Sequence, residues 1–444
     1  MKSLKMREKL LMMLVLGAIL VFITACSGDD AEETDATDND AEETSEDTSA
    51  DEGSSDALSG EIEFMTISLS PTFDEYLNDL KVDFEAEHPE VTVTVRDVPY
   101  DQVEQIILTS ASSGDMPDVM NLNTEFVKKI AANGALVNMD EAAADVKDTF
   151  FEGLWETGGV NGSVYALPWY TTTSGMIYNP DLLEEAGFEE PPATYEEAWE
   201  MSATILEKTG AYGEIIAPDM HLLFPKNNIN ILNEDYTAAA FNTPEAVELW
   251  ASFKKYHEEG LFPLDIMLNQ VAMAELYAQE KVAWWSTGPQ LFRQVNDLSP
   301  EVYEKSVAAP ALEGKAGKQH ANPMNIAVAE TSESKEAAVA FAKFVTNAEN
   351  QLEFGKLASV LPPVEEAAND AFFEEGADSE DATERGRYYA AQSLAIAENM
   401  TPATENVAEI NDIIHTAFQQ VILEDKDPAE ALEEAEAAVN NSLQ

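Results

Sequence analysis

The chain has 444 residues, 45% of them hydrophobic, which is enough for a sizeable core, and its 85 acidic against 24 basic side chains give a formal charge of −61. A field of that sign excludes nucleic acid and anionic lipid surfaces as partners. One cysteine in the whole chain excludes an internal disulfide, and five histidines without metal-ligand spacing offer no zinc site.

Residues Met1 to Lys9 carry Lys2, Lys5, Arg7 and Lys9 against Glu8, and an uncharged apolar run continues from Leu10 to Ala25. This pattern predicts a secretory signal sequence over 1–25. As a helix the run would reach about 24 Å, short of the roughly 30 Å hydrocarbon core, so a permanent span is the weaker reading. It ends Ile23-Thr24-Ala25-Cys26, which resembles the lipobox of bacterial lipoproteins, and the resemblance implies acylation of Cys26. A diacylglyceryl group would hold the chain stably, because each buried methylene adds about 0.8 kcal/mol over two or more chains. Residues 27–56 contain fourteen Asp or Glu, no Lys or Arg, and no aromatic or branched aliphatic side chain. Such a tract cannot bury enough surface to fold, and 26–56 is expected to be the lipidated Cys and a disordered tether spanning roughly 30 Å or more.

The body beyond residue 56 exceeds the size at which single cores stop growing, so two lobes are expected. The signal contributes +3 and the tether −14 to the charge, leaving about −50 on the body. A surface so acidic suggests work in high salt, where screening shortens self-repulsion to a few ångströms. In chain order, Glu61 to Ile67 alternates at period two. Phe73, Tyr76, Leu77, Leu80 and Phe84 recur at helical spacing, and Val91, Val93 and Val95 alternate again. This predicts strand, helix, strand, stopped at Pro89 and joined by a crossover of parallel β-α-β length. Later helix starts are marked by Asn179-Pro180, Thr194 with Glu197, Thr243-Pro244, Ser334 with Glu336, and Asp427-Pro428. There is no internal repeat and no Gly-rich phosphate loop after a strand.

Several segments then resemble, in order, the family 1 extracellular solute-binding proteins, the binding components of carbohydrate ABC importers. They are Phe84-Glu85-Ala86-Glu87-His88-Pro89-Glu90-Val91, Gly114-Asp115-Met116-Pro117-Asp118-Val119, Gly134-Ala135-Leu136-Val137, Tyr165-Ala166-Leu167-Pro168, Ile177-Tyr178-Asn179-Pro180-Asp181-Leu182-Leu183, and Pro191-Pro192-Ala193-Thr194-Tyr195. Gly288-Pro289 and the helix Lys335 to Asn350 continue the match. The resemblance implies an α/β, two-lobed type II periplasmic-binding-protein fold with hinge crossings near Leu167 to Thr171, Gly317 to Asn322, and Leu361 to Pro363. Residues 57–168 and 318–361 are then expected in one lobe, 169–317 and 362–444 in the other. It implies capture of a carbohydrate in the interlobe cleft and delivery to membrane permease subunits, by a monomer on the extracellular face of the membrane.

Sugars present apolar ring faces and a rim of hydroxyls, so their clefts need aromatic plates with amide or hydroxyl partners. Trp169, Tyr170 and Thr172, with Thr171 and Thr173, follow Pro168, where the resemblance puts the cleft floor; the competing reading of the two aromatics is core packing. Trp284 and Trp285 are adjacent in a short strand and face opposite ways, so one of them, Trp285 by preference, is expected in the cleft. Asn121 and Asn123 either meet ligand or cap the helix beginning near Thr124, and Ser70, with Ser68 and Thr72, carries the same alternatives. Asn322 and Asn325 flank Pro323-Met324 near a crossing. Asp219 and His221 stay unassigned.

Tyr388-Tyr389 resembles the tyrosine pair that holds ferric ion in other two-lobed binding proteins, but its surroundings read as helix. No EF-hand spacing occurs and no cofactor or metal is called for. An extracellular glycosidase needs only two facing carboxylates, which leave no sequence signature, and a surface adhesin or peptide-binding lipoprotein could use the same fold. Ring stacking and the scarcity of Lys and Arg in the cleft segments point to a neutral sugar.

Overall fold

The computed structural model describes residues 57–443 apart from 161, 215–218, 262, 264–271, 403 and 405. The expected signal sequence, Cys26 and the acidic tether lie outside the described residues.

Strand β1 (Ser59–Ile67) leads to helix α1 (Asp74–Glu87) and then to β2 (Glu90–Val98), which pairs parallel to β1 from Ser59 opposite Glu90 to Ile67 opposite Val98. Tyr76, Leu77, Leu80 and Phe84, three and four apart, form the buried stripe of α1. Helix α2 (Val103–Ser113) stops at Gly114, whose φ of +76° is a left-handed conformation that a Cβ disfavours. Then come β3 (Val119–Asn123), α3 (Thr124–Ala131) and β4 (Ala166–Tyr170).

The chain passes in four residues, Thr171–Ser174, to β5 (Gly175–Tyr178). Helices α4 (Pro180–Ala186), α5 (Tyr195–Thr209), α6 (Met220–Lys226) and α7 (Pro244–Glu258) precede β6 (Trp284–Thr287) and β7 (Val307–Pro310). It returns through β8 (Gln319–His320) to β9 (Met324–Val328), α8 (Lys335–Val345) and α9 (Ala348–Ala358). The last stretch holds α10 (Ala382–Gln392), β10 (Ala397–Glu398), α11 (Val407–Leu423) and α12 (Pro428–Ser442). Tyr388 and Tyr389 fall within α10, as read from the sequence.

Side chains of Asn179, Thr194, Thr243 and Asp427 accept backbone N–H groups at the starts of α4, α5, α7 and α12, where the sequence places caps. Ser334 makes no such bond at α8.

Two sheets result. The first has the order β2-β1-β3-β9-β4, with β1, β2 and β3 parallel and β9 antiparallel to both neighbours. The second has the order β6-β5-β7, antiparallel throughout. Each has its own core. Phe64, Phe84, Trp169, Phe341 and Phe354 pack between the first sheet and α1, α8 and α9. Phe224, Phe241, Trp250, Phe253 and Phe418 pack among α6, α7 and α11.

The crossings are paired with one another. Thr171 and Leu361 exchange both backbone hydrogen bonds at 2.9 Å. β8 runs parallel to β10, with Gln319 opposite Ala397, and Ala321 N–H donates to the Glu398 carbonyl at 3.0 Å. A small cluster including Leu154, Ala321, Leu361, Phe373 and Leu394 fills the space beneath these segments.

Candidate ligand-binding cleft

Strand direction fixes which edge of each sheet faces the other. Met324, the first residue of β9, lies opposite both Asn123 and Tyr170, the last residues of β3 and β4. The carboxyl ends of β1, β2, β3 and β4 therefore share one edge, the position at which open α/β sheets bind ligands. In the second sheet Gly175, the first residue of β5, lies opposite Thr287 and Pro310, the last residues of β6 and β7. The four residues between Tyr170 and Gly175 join the two edges.

A cavity of about 240 Å³ opens at the edge of the first sheet. Thr124, Glu125 and Lys128 line it from one face of α3. They face His221 from the start of α6, Asn399, Thr401 and Thr404 after β10, and Val407, Ala408 and Asn411 from the start of α11. Asn322 enters from the crossing. Oδ1 of Asn411 is buried without a hydrogen-bond partner, an acceptor free for a hydroxyl donor.

Burial pulls the Lys128 ammonium down to about 8. His221 is also lowered by burial, against the pull of Asp219, with His415 adding to the lowering. His320, on β8, is held at about 4 first by burial and then by the positive charge of Lys226, of His221 once protonated, and of Lys128. Its Nδ1 accepts the Met400 N–H at 3.3 Å, which assigns the proton of the neutral ring to Nε2. Behind them Lys226, itself lowered by burial, donates to Tyr195 Oη at 3.1 Å. Glu214 accepts Ser286 N at 2.8 Å and Ser286 Oγ at 2.6 Å, while burial raises its pKa. At neutral pH the two imidazoles are uncharged and Lys128 is an ammonium.

The residues chosen from sequence fall into three groups. Asn322 lines the cavity. Ser70 and Thr172 are exposed on loops of the shared edge, and Thr172 borders a separate small hollow with Gln290, Arg293 and Arg387. Asn123 sits at the same edge as a helix cap, its Oδ1 accepting Phe126 N–H at 2.8 Å while its Nδ2 donates to Tyr100 Oη at 3.0 Å.

Trp169, Asn121 and Trp285, expected from the sequence to meet ligand, lie instead in packed interiors. β4 extends through Tyr170, so Trp169 lies within the strand; at period two it joins Leu167 on the helix-covered face, 0% exposed and stacked on Phe354 at 4.8 Å and 20°. Tyr170 also packs on Phe354, at 5.0 Å, and burial raises its phenol to about 12. Asn121 is fully buried in β3, where its Nδ2 donates to the Asn325 carbonyl at 3.4 Å. Asn325 is fully buried as well, bonded to Thr124 Oγ1 and the Pro323 carbonyl. Trp284 and Trp285 do face opposite ways, but helices cover both faces of that sheet and each ring ends in a core. The aromatic that the shared edge does present is Tyr100, 57% exposed after β2, signalled only by Pro99-Tyr100 following the alternating valines.

The chain matches the family described as bacterial extracellular solute-binding protein over residues 66–352. It belongs to that family. A binding protein of Brucella abortus (strain 2308), named no more specifically than that, is 26% identical over 400 residues, covering 88% of this chain and 95% of its own. The galactooligosaccharide-binding protein of Bacillus subtilis is 23% identical over 376 residues, covering 81% and 84%. Among solved structures, a candidate oligosaccharide periplasmic-binding protein from Synechococcus sp. MITs9220 superposes with a TM-score of 0.72 at 28% identity, covering 86% of this chain and 98% of that one. The two-lobed α/β architecture and membership of a family of extracellular binding proteins, not enzymes, follow.

Proposed function

We propose that this member of the solute-binding family captures a carbohydrate in the interlobe cavity and delivers it to the permease subunits of an ABC importer. The observation that supports the reading is the composition of the cavity wall: polar side chains from α3, α6, the segment after β10 and α11, distant in sequence, converge on one pocket, and in this reading α3 belongs to one lobe and α6 and α11 to the other. Amides and hydroxyls of Asn322, Asn399, Asn411 and Thr401 suit a polyol. Ser70, Asn123, Thr172 and the exposed ring of Tyr100 stand outside the cavity lining, on the same edge of the first sheet. The names of the relatives support a sugar ligand.

In this reading the lobes divide as 57–168 with 318–361 and 169–317 with 362–444. Cys26 carries a lipid that holds the monomer at the outer face of the membrane, and the acidic tract to residue 56 spaces it from the surface. The test is titration of the full-length protein in detergent with mono- and oligosaccharides, followed by small-angle scattering at saturation. Saturable binding without turnover, together with a fall in radius of gyration, is expected. Turnover would establish the glycosidase alternative, and binding without compaction would remove lobe closure.

A further inference from the structure

We propose that the cleft selects a carbohydrate bearing a carboxylate, a uronic-acid residue, with the Lys128 ammonium as the anion's partner; this rests on the carbohydrate reading above.

The argument begins with the company lysines keep on this chain. Acidic residues outnumber basic ones 85 to 24, so a lysine finds a carboxylate readily. Lys147, Lys305, Lys335 and Lys356 each hold one within 3.1 Å. Lys128 has no ion pair and no side-chain hydrogen bond among the described residues, although it is half-buried. Glu125, one turn earlier on α3, is exposed and makes no ion pair with it.

A cation drawn out of water without a counter-ion raises the free energy of the empty site, and an arriving anion relieves that cost. The groups facing Lys128 do not supply one. His221 from α6 and His320 from β8 are neutral above pH 6.5, because burial lowers both. Asp219 stands beside His221, His415 faces it from α11, and Lys226 and buried Glu214 lie behind as a second pair of opposite charges. The body's charge of about −50 is felt weakly at this depth in salt, where the screening length is about 8 Å at 0.15 M. Lys128 is the one ammonium among the side chains that line the cavity, and Glu125 is the one carboxylate.

The rest of the lining supplies hydrogen-bonding partners for a polyol. The partnerless acceptor Oδ1 of Asn411 needs a hydroxyl donor, and Asn322, Asn399 and Thr401 supply amide and hydroxyl partners. One ammonium beside neutral amides matches a singly charged carboxylate on a polyol. A phosphate monoester, with nearly two charges and three acceptor oxygens, calls for a denser set of donors. The cation was hidden from sequence reading because Lys128 looks like an ordinary solvent-face lysine, next to Lys129 on a short helix.

The experiment is calorimetric titration of the full-length protein in detergent, at pH 7 and 0.15 M NaCl. The probes are di- and trisaccharides of galacturonate, glucuronate and mannuronate, each beside its carboxyl-reduced neutral form, with galactose 6-phosphate as a third arm. At least one uronate should bind tenfold to a hundredfold more tightly than its reduced form, the range of a charge-assisted hydrogen bond. Lys128→Met should bring the two within threefold, and Lys128→Arg should keep part of the preference. The wild-type preference should shrink from pH 7 to pH 9.5 as the ammonium loses its proton. If Lys128→Met does not fold, the wild-type ratio and its pH profile decide. Equal or tighter binding of the reduced forms overturns the inference and leaves the carbohydrate reading standing, and so does tighter binding of the sugar phosphate. A preference that survives Lys128→Met or pH 9.5 overturns it too. Failure of every saccharide to bind removes both.

Discussion

Trp169→Ala separates a core ring from a cleft ring, because the two roles fail in different measurements. The indole is 0% exposed, stacks on Phe354 at 4.8 Å, and meets Phe64 and Tyr170 edge-on at 6.3 and 5.1 Å. Removing it takes away those contacts and leaves a hole that the first sheet, α1 and α9 cannot all collapse to fill. Truncations of this kind cost about 3 to 5 kcal/mol, a large share of the roughly 5 to 15 kcal/mol that holds a folded domain. Trp169→Phe, which keeps an aromatic contact to Phe354, should lose less. Urea unfolding followed by far-UV circular dichroism is the suitable assay, since tryptophan fluorescence would change with the probe itself. A two-lobed chain can unfold in two steps, and the step that moves should be the first lobe's. The expected result is a lower urea midpoint for Trp169→Ala with ligand affinity unchanged wherever the variant is folded. A variant that keeps the wild-type midpoint to within about 1 kcal/mol and yet binds tenfold more weakly would refute the packing argument.

Acidification should weaken the fold through His320. Its ring is neutral until about pH 4 in the folded state, against 6.5 when unfolded, so the unfolded chain takes up the proton first. Stability then falls as pH drops from about 6.5 to about 4, by at most about 3 kcal/mol; His320→Asn should flatten that stretch of a melting-temperature profile, and an unaltered slope would disprove it. Melting temperature should rise with NaCl between 0.01 and 1 M, as the Debye length falls from about 30 Å to about 3 Å, and a flat profile would remove the high-salt reading of the acidic surface. Cys26→Ala should leave precursor or shed protein in the medium; detergent-phase partitioning equal to wild type would count against the lipid anchor.

The fold was legible wherever a local rule decides it. Val91, Val93 and Val95 alternate because one face of β2 packs on α1, and the crossover between β1 and β2 is too long for a hairpin, so parallel pairing followed. Asn179, Thr194, Thr243 and Asp427 announced their helices because a cap needs only a short polar side chain and the next three residues. Ser334 has the same chemistry, yet its backbone, at φ −107° and ψ 38°, is not in the extended conformation of the capping residues, and no side-chain bond forms at α8.

The site was legible only in part, since nothing local distinguishes an aromatic one residue inside a strand from one on the loop that follows it. Trp169 and Thr172 stand three positions apart; β4 carries the first into the core, and the chain leaves the sheet before the second. Sheet coverage matters as much as register. Alternation placed Trp284 and Trp285 on opposite faces correctly, but with helices over both faces neither position opens to solvent. The cavity itself draws on α3, α6, the β8–β9 crossing, the segment after β10 and α11, segments far apart in sequence that the fold brings together. Lys128 and Asn411 have no sequence relation to each other, and each alone reads as a polar position on an amphipathic helix. What the proposal takes as a site is burial without partners among the described residues, an ammonium with no carboxylate and a carbonyl oxygen with no donor, which appears only once the chain is folded. A ligand that supplies an anion to one and a hydroxyl to the other bridges α3 and α11, so its binding energy would act directly on the angle between the lobes.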